Sequence, residues 1–106
     1  MRPISPKVKK ILEGEKRMEK CEVCGNSQVQ WHHVAQFRGR QIDEAWAIAP
    51  ACLKHHEQAH LEEIRELFEW NMLQRMTGED MKKYPRDWKV LINYLSSKAI
   101  KYGWRK

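Results

Sequence analysis

Every cysteine and histidine of this chain lies between residues 21 and 60. Thiolate sulfur and neutral imidazole nitrogen are the ligands that zinc prefers in proteins, and imidazole also binds other divalent metals. A segment that gathers all of these ligands, within a chain of 106 residues, predicts metal binding. The residues are Cys21, Cys24, Cys52, His32, His33, His55, His56 and His60.

The first predicted site combines two short-spaced pairs, Cys21-x-x-Cys24 and Cys52-x-x-His55. Two such pairs, brought together by a hairpin between them, satisfy tetrahedral zinc and leave no open position. In a domain with a small core, the ion contributes folding free energy directly. His56 would also reach from Cys52, so the spacing leaves both histidines open as the fourth ligand. Three free buried cysteines are the alternative, but they do not account for a Cys-x-x-Cys motif after a polar helix.

The remaining histidines predict a second site of a different kind. On a helix, His55 and His56 point about 100° apart, whereas His56 and His60 share one face. A third ligand must come from outside the helix, and the preceding strand offers His32 and His33. Three protein ligands leave coordination positions open, as a catalytic metal requires. The spare histidine, with a pKa near neutrality, suits a general base acting on water; the alternative is a histidine packed on its strand face.

Two strands must bring these ligands together. The segment QVQWHHV, residues 28–34, alternates polar and apolar side chains, and EAWAIAPAC, residues 44–52, alternates again. Alternation of this kind predicts strands that are buried on one face. The glycine between Arg38 and Arg40 marks a basic loop between them. The sequence therefore predicts a hairpin with a long connection.

Three helices are predicted around this hairpin. The first spans about residues 5–19, and the last spans about residues 87–102. Between them, apolar residues at three- and four-residue steps predict one continuous helix from residue 53. The end signals are Ser5 and Pro6 for the first helix, Gly78 for the second, and Asp87 and Gly103 for the last.

The length predicts a single domain, residues 1–106. The predicted hairpin and helices together make this domain α+β in class and mainly helical.

The net charge of +6 is unevenly spread along the chain. Residues 1–20 carry seven Lys/Arg against three Glu, and residues 81–106 carry eight against one Asp, whereas residues 21–80 carry five against ten acidic residues. Basic ends around an acidic middle suit a protein that binds a polyanion with its flanks. Lysine-rich helices that are merely soluble are the alternative.

The sequence also bears on the compartment. No apolar run approaches the ~20 residues of a membrane span, and the N-terminus is too charged for a secretory signal peptide. An odd number of cysteines, two of them in Cys-x-x-Cys, argues against a disulfide framework. We therefore expect a cytoplasmic protein with reduced thiols and no membrane contact.

Over about residues 21–60 the chain resembles the zinc-containing HNH endonucleases, which have a ββα-metal fold. The resemblance rests on Cys-x-x-Cys, then WHHV, then the hairpin, then PACLKHHEQAH. It implies a protein that hydrolyses phosphodiester bonds in DNA and nicks one strand per active site, for which a monomer suffices. By position it implies that His33 is the general base, that His32, His56 and His60 hold a catalytic divalent ion (Mg²⁺, Mn²⁺, Ni²⁺ or Zn²⁺), and that Cys21, Cys24, Cys52 and His55 hold a structural zinc.

The chain departs from this family at Ala47. The family's central asparagine, which braces the loop that orients the general base, is expected at this point of the second strand. Alanine cannot make that contact, and Gln41, Asp43 or Glu44 are the candidates to replace it.

Three basic residues, Arg38, Arg40 and Lys54, flank the hairpin and the start of the following helix. There they would meet the phosphate backbone of DNA, and a solvated polar loop is the alternative.

Two other classes of function compete with a nuclease. A zinc-stabilised nucleic-acid-binding module without catalysis explains the cysteines, the basic flanks and Ala47. It leaves His32, His33 and His60 without a role. A redox Cys-x-x-Cys protein is disfavoured because the sequence lacks the βαβ pattern that surrounds that motif.

Overall fold

The computed structural model describes residues 4–34, 36–37, 40–84 and 87–104. It is mainly helical with short antiparallel strands, which agrees with the predicted α+β class. In the described part of the chain, no helix is both long enough and apolar enough to cross a membrane. The helices are α1 (Pro6–Glu13), α2 (Leu53–Glu57), α3 (Glu62–Arg75), α4 (Gly78–Lys83) and α5 (Trp88–Tyr102). The strands are β1 (Gln30–His33), β2 (Gln36–Phe37), β3 (Arg40–Gln41) and β4 (Ile48–Ala51).

The first helix begins where the sequence predicts and ends earlier. The Ser5 side chain accepts a hydrogen bond from the Val8 amide, and Pro6 occupies the first helical position. The helix ends at Gly14, and a separate 3-10 turn follows at Lys16–Glu19. The predicted helix over 5–19 is therefore two pieces, because glycine is the poorest helix former after proline.

The predicted hairpin is present as β1 paired with β4. His32 lies opposite Ala49, and His33 lies opposite Ile48. The second strand is shorter than predicted, because Ala45–Ala47 forms a 3-10 turn in which the Ala47 amide bonds to the Glu44 carbonyl. Ala47 therefore precedes the strand and does not lie in it. The connection between the two strands contains a second small ladder, β2 with β3.

The single helix predicted from residue 53 is broken after His60. The His60 Nδ1–H donates to the Glu57 carbonyl at 2.9 Å. This is the acceptor that the Leu61 amide would use in a continuous helix; that amide bonds instead to the Gln58 carbonyl, and Leu61 is extended. The helix after the break ends at Arg75, before the predicted stop.

The segment after α3 forms a short helix that the sequence reading did not include. Thr77 and Asp80 make a reciprocal capping box at the start of α4, so Gly78 begins this helix. The last helix matches its prediction: Asp87 caps the Val90 amide, and Gly103 ends the helix in the left-handed conformation at φ 72°.

The buried strand β4 is packed on both faces. On one face Ile48 packs with Val8, Leu12 and Met18 of the N-terminal segment. On the other, Ala49 and Ala51 pack against Phe68 of α3. A larger cluster joins the turn before β4 to α3 and α5, and its members include Ile42, Trp46, Trp70, Met72, Trp88 and Leu95.

Candidate metal centre

Four of the predicted ligands converge in one cluster, which we call the Cys3His cluster: Cys21, Cys24, Cys52 and His55. Their ligand atoms all lie within 4.8 Å of one another. The spacing alone left His55 and His56 as alternatives, and the structure places His55 with the three cysteines.

The distances within the Cys3His cluster fit a tetrahedral metal. Tetrahedral zinc with Zn–S of about 2.3 Å and Zn–N of about 2.0 Å sets ligand sulfurs about 3.8 Å apart and places sulfur about 3.5 Å from nitrogen. The Sγ atoms of Cys24 and Cys52 are 3.7 Å apart. The His55 Nδ1 lies 3.6 Å from the Cys21 Sγ and 3.2 Å from the Cys52 Sγ. The three cysteines are not in disulfides, so the donor set is one that zinc takes.

Local backbone structure presents these ligands. A tight turn returns the chain after Cys24, with the Gly25 amide bonded to the Cys21 carbonyl and the Cys21 amide bonded to the Asn26 carbonyl, each at 2.8 Å. Gly25 has φ 79°, a backbone conformation that residues other than glycine seldom adopt. On the other side of the cluster, Cys52 is the N-cap of α2, and this places its sulfur one turn before His55.

The electrostatics of the cluster favour a thiolate at Cys21. Burial raises the pKa of Cys21, but hydrogen bonds from backbone N–H groups, including those of Cys52 and Cys24, and from His55 outweigh it and lower the pKa to about 6. At Cys24 a backbone hydrogen bond at Asn26 lowers the pKa, whereas burial and the neighbouring sulfurs raise it, with a net rise. Neighbouring thiolates repel each other, and a cation between them relieves that repulsion.

A second pair of predicted ligands meets on the adjoining face of the hairpin. The rings of His32 on β1 and His56 on α2 make an edge-to-face contact with centroids 5.1 Å apart. Phe68 packs 5.0 Å from the His32 ring. Burial, with repulsion from His56 and His33, lowers the pKa of His32 to about 4. His32 is therefore neutral at pH 7, which is the form that binds a metal.

The structure does not bring His60 to this pair. In the described ranges, the Cys3His cluster is the only group in which three or more potential ligand atoms lie within 4.8 Å of one another. His60 is exposed, and its Nδ1–H is held by the Glu57 carbonyl. In the neutral ring this hydrogen bond leaves Nε2 as the unprotonated nitrogen.

His33 is the last residue of β1 and is half-buried. Successive residues of a regular strand point to opposite faces, so His32 and His33 can serve one site only where the strand ends, and β1 ends at His33. Burial lowers the pKa of His33, and the carboxylate of Asp43 acts in the opposite direction. His33 is thus a neutral imidazole near pH 7 at the point where the strand ends.

The structure describes two of the three predicted phosphate-binding residues. Arg38 lies outside the described residues, and Arg40 begins β3 opposite Phe37. Lys54 is exposed in the first turn of α2 and lines a groove of about 420 Å³ beside the Cys3His cluster. The polar residues that share the groove are Asn26, Gln28 and Gln30.

Two of the residues considered as replacements for an asparagine at position 47 have other partners. Asp43 accepts a hydrogen bond from the Ser5 amide, and Glu44 pairs with Lys83 at 3.0 Å.

The sequence reading missed two arginines beside the candidate site. The Arg17 guanidinium donates to the carbonyls of Ala45 and Ile48, and Arg75 donates to the carbonyl of Trp46. No local motif could have indicated these contacts, because the partners lie 28 to 31 residues away in the chain.

Comparison with known proteins finds no matching family model, no similar curated protein and no similar solved structure.

Proposed function

We propose that this protein is a zinc-stabilised, metal-dependent DNA endonuclease that nicks one strand per active site. The observation that carries the proposal is the contact between His32 and His56. It joins the first strand of the hairpin to the helix that follows its second strand, and the same short helix carries His55 of the Cys3His cluster. A candidate structural metal site and the His32–His56 pair thus share one scaffold.

In this proposal the two groups of ligands have different tasks. The Cys3His cluster would hold zinc and so fix α2 against the turn at Cys21. His32 and His56 would hold a divalent ion, and His60 would have to move toward them to serve as a third ligand. The ion would supply positive charge for the departing oxygen. His33, neutral at pH 7, accepts the proton of the attacking water.

Basic side chains support a nucleic-acid substrate. Lys54 is exposed on the same helix as His56. The described lysines of the basic flanks are exposed to solvent with the exception of Lys98, which pairs with Glu66. If they neutralise phosphates, the logarithm of the affinity for B-DNA falls with the logarithm of salt at a slope of about −0.9 per phosphate. A flat salt dependence would show that the lysines serve solubility alone.

The nuclease activity is tested on supercoiled plasmid with zinc-loaded protein and added Mg²⁺, Mn²⁺ or Ni²⁺. We expect conversion to the nicked circle. His33→Ala should slow it by about 10²- to 10⁴-fold, the usual contribution of a general base. His56→Ala should abolish the nicking that the added metal supports, while the variant keeps the structural zinc. Asn93→Ala, at an exposed polar position of α5, is the matched control and should cleave as the wild type does.

A zinc-stabilised binding module without catalysis is the second candidate. The position of His60, away from the His32–His56 pair, and the alanine at position 47 favour it. Under this alternative the protein binds DNA with the same salt dependence and leaves the plasmid supercoiled with every metal tried. Cleavage by the wild type that His33→Ala does not slow would exclude this module and also the assignment of His33.

A further inference from the structure

The turn before β4 is held by an arginine from the N-terminal segment. Arg17 donates from Nη1 to the Ile48 carbonyl at 2.8 Å and from Nη2 to the Ala45 carbonyl at 2.7 Å. Its Nε is 2.7 Å from the Glu15 carboxylate, which fixes the plane of the guanidinium. One rigid fork therefore spans both ends of the turn Ala45–Ala47.

A second arginine holds the same turn from the end of α3. The Arg75 Nε donates to the Trp46 carbonyl at 3.1 Å, and Nη1 lies 3.0 Å from the Glu22 carboxylate. The Asn71 amide bonds to the other oxygen of Glu22 at 3.3 Å. This arginine and its carboxylate are both largely buried, with 17% and 13% of their side chains exposed. Hydrogen bonds to ionised groups are stronger than those between neutral groups.

These contacts leave little freedom in the turn. The Ala47 carbonyl, which lies between the carbonyls bound by the arginines, accepts from the Val34 amide at 2.8 Å. Val34 directly follows His33, and His33 itself pairs with Ile48. Ala47 has a methyl side chain, so the hydrogen bonds that fix this turn against the end of β1 are those of its backbone. The two guanidiniums hold the strand to which His33 is paired.

We propose that Arg17 and Arg75 are positioning residues that hold the turn Ala45–Ala47 and, through it, the end of β1 that carries His33. Neither side chain needs to touch DNA for this role. Its catalytic consequence rests on the function proposed above, in which His33 acts on water. Its structural consequence, a rigid register between Val34 and Ala47, is independent of that function.

The test uses Arg17→Lys and Arg75→Lys in the zinc-loaded, full-length protein. Lysine keeps the positive charge beside each carboxylate and loses the guanidinium fork that binds the carbonyls. Arg65→Lys is the matched control, because Arg65 also lies on α3 but pairs with Glu69 on the exposed surface. Zinc content and far-UV circular dichroism first establish that each variant is folded.

Two measurements then follow. Amide hydrogen exchange at Val34 should accelerate at least about tenfold in both variants. Loss of a hydrogen bond from a charged group raises the population of the open, exchanging state by about this factor. Exchange at Leu95, in the buried part of α5, should not change. In plasmid nicking, kcat should fall roughly ten- to hundredfold, the effect of a small misplacement of a catalytic group, with KM changed by less than about twofold.

The two proposals fail separately. Exchange at Val34 that matches the wild type in both variants would overturn the positioning role, as would an unchanged kcat in both. Loss of activity through KM alone would also overturn it and indicate contact with DNA. If the wild type does not cleave, the proposed nuclease function fails, and the exchange at Val34 alone decides whether the arginines hold the turn.

Discussion

Cys24→Ser separates the contribution of the metal from that of packing. Cys24 is exposed, whereas Cys21 and Cys52 are buried, with 3% and 5% of their surface accessible. Replacing the Cys24 sulfur by oxygen therefore removes a soft ligand and almost no buried apolar surface. Any large loss of stability must come from the metal site.

The expected loss is as large as the stability of the domain, or larger. A chain of 106 residues has a net stability of roughly 5–15 kcal/mol. Binding of a structural zinc contributes on the order of 10–16 kcal/mol at pH 7. The cluster also joins the turn at Cys21 to the start of α2, a helix of five residues that is too short to be stable alone. Without its zinc, the protein should be unfolded or close to the midpoint of unfolding at 25 °C.

The assay combines zinc content per chain with the far-UV circular dichroism of Cys24→Ser. We expect less than stoichiometric zinc and a collapsed helical signal, as in wild type treated with a strong chelator. His56→Ala is the matched control, because it removes the neighbouring imidazole from the same helix and should keep one zinc. A Cys24→Ser protein that is zinc-free and as stable as the wild type would refute the structural role of the cluster.

Three further predictions concern the surroundings of the two sites. Phe68→Ala should destabilise the domain by about 3–5 kcal/mol in urea unfolding, because it empties a fully buried site against β4 and the His32 ring; a loss below about 1 kcal/mol would contradict this packing. The pKa of His32 is lowered from 6.5 to about 4, so the unfolded chain binds more protons between these pH values and stability should fall as pH drops from 6.5 to 4. In zinc-loaded His32→Gln the free energy of unfolding should change less with pH over this range. An equal change would exclude His32 as its source. Gly25→Ala places a side chain at φ 79° with open space around it, so it should cost about 1–2 kcal/mol from backbone strain and weaken zinc affinity; Gly103→Ala, at φ 72°, should cost a similar amount and leave zinc affinity unchanged in a competition titration.

The starts of α1 and α5, the end of α5 and the Cys3His ligands could be predicted because their signals are local. Ser5 and Asp87 accept hydrogen bonds from amides three residues ahead, and Gly103 needs only its own backbone freedom. The ligand pairs are likewise separated by two residues. The spacing could not decide between His55 and His56 as the fourth ligand, because that choice depends on where α2 lies relative to the turn at Gly25.

Other features could not be predicted, or were overlooked. The break at Leu61 has no glycine, proline or capping residue to mark it, and it depends on one imidazole taking a main-chain acceptor. The capping box of α4 has a local signal, Thr77 followed three residues later by Asp80, but Gly78 between them equally predicts the end of a helix. The contacts of Arg17 and Arg75 join distant parts of the chain, so they required the structure.

The burial of β4 on both faces bears on how far the metal-binding segment is portable. Residues 21–60 contain every soft ligand, yet Ile48 is covered by the N-terminal helix and Ala49 by Phe68 of α3. Transplanted alone, this segment would expose a continuous apolar strand to water and lose both arginines that hold the preceding turn. A transferable unit must therefore extend in both directions, at least from Ser5 through the end of α3. A design that transplants residues 21–60 alone would therefore transfer the metal ligands without the packing and hydrogen bonds that position them.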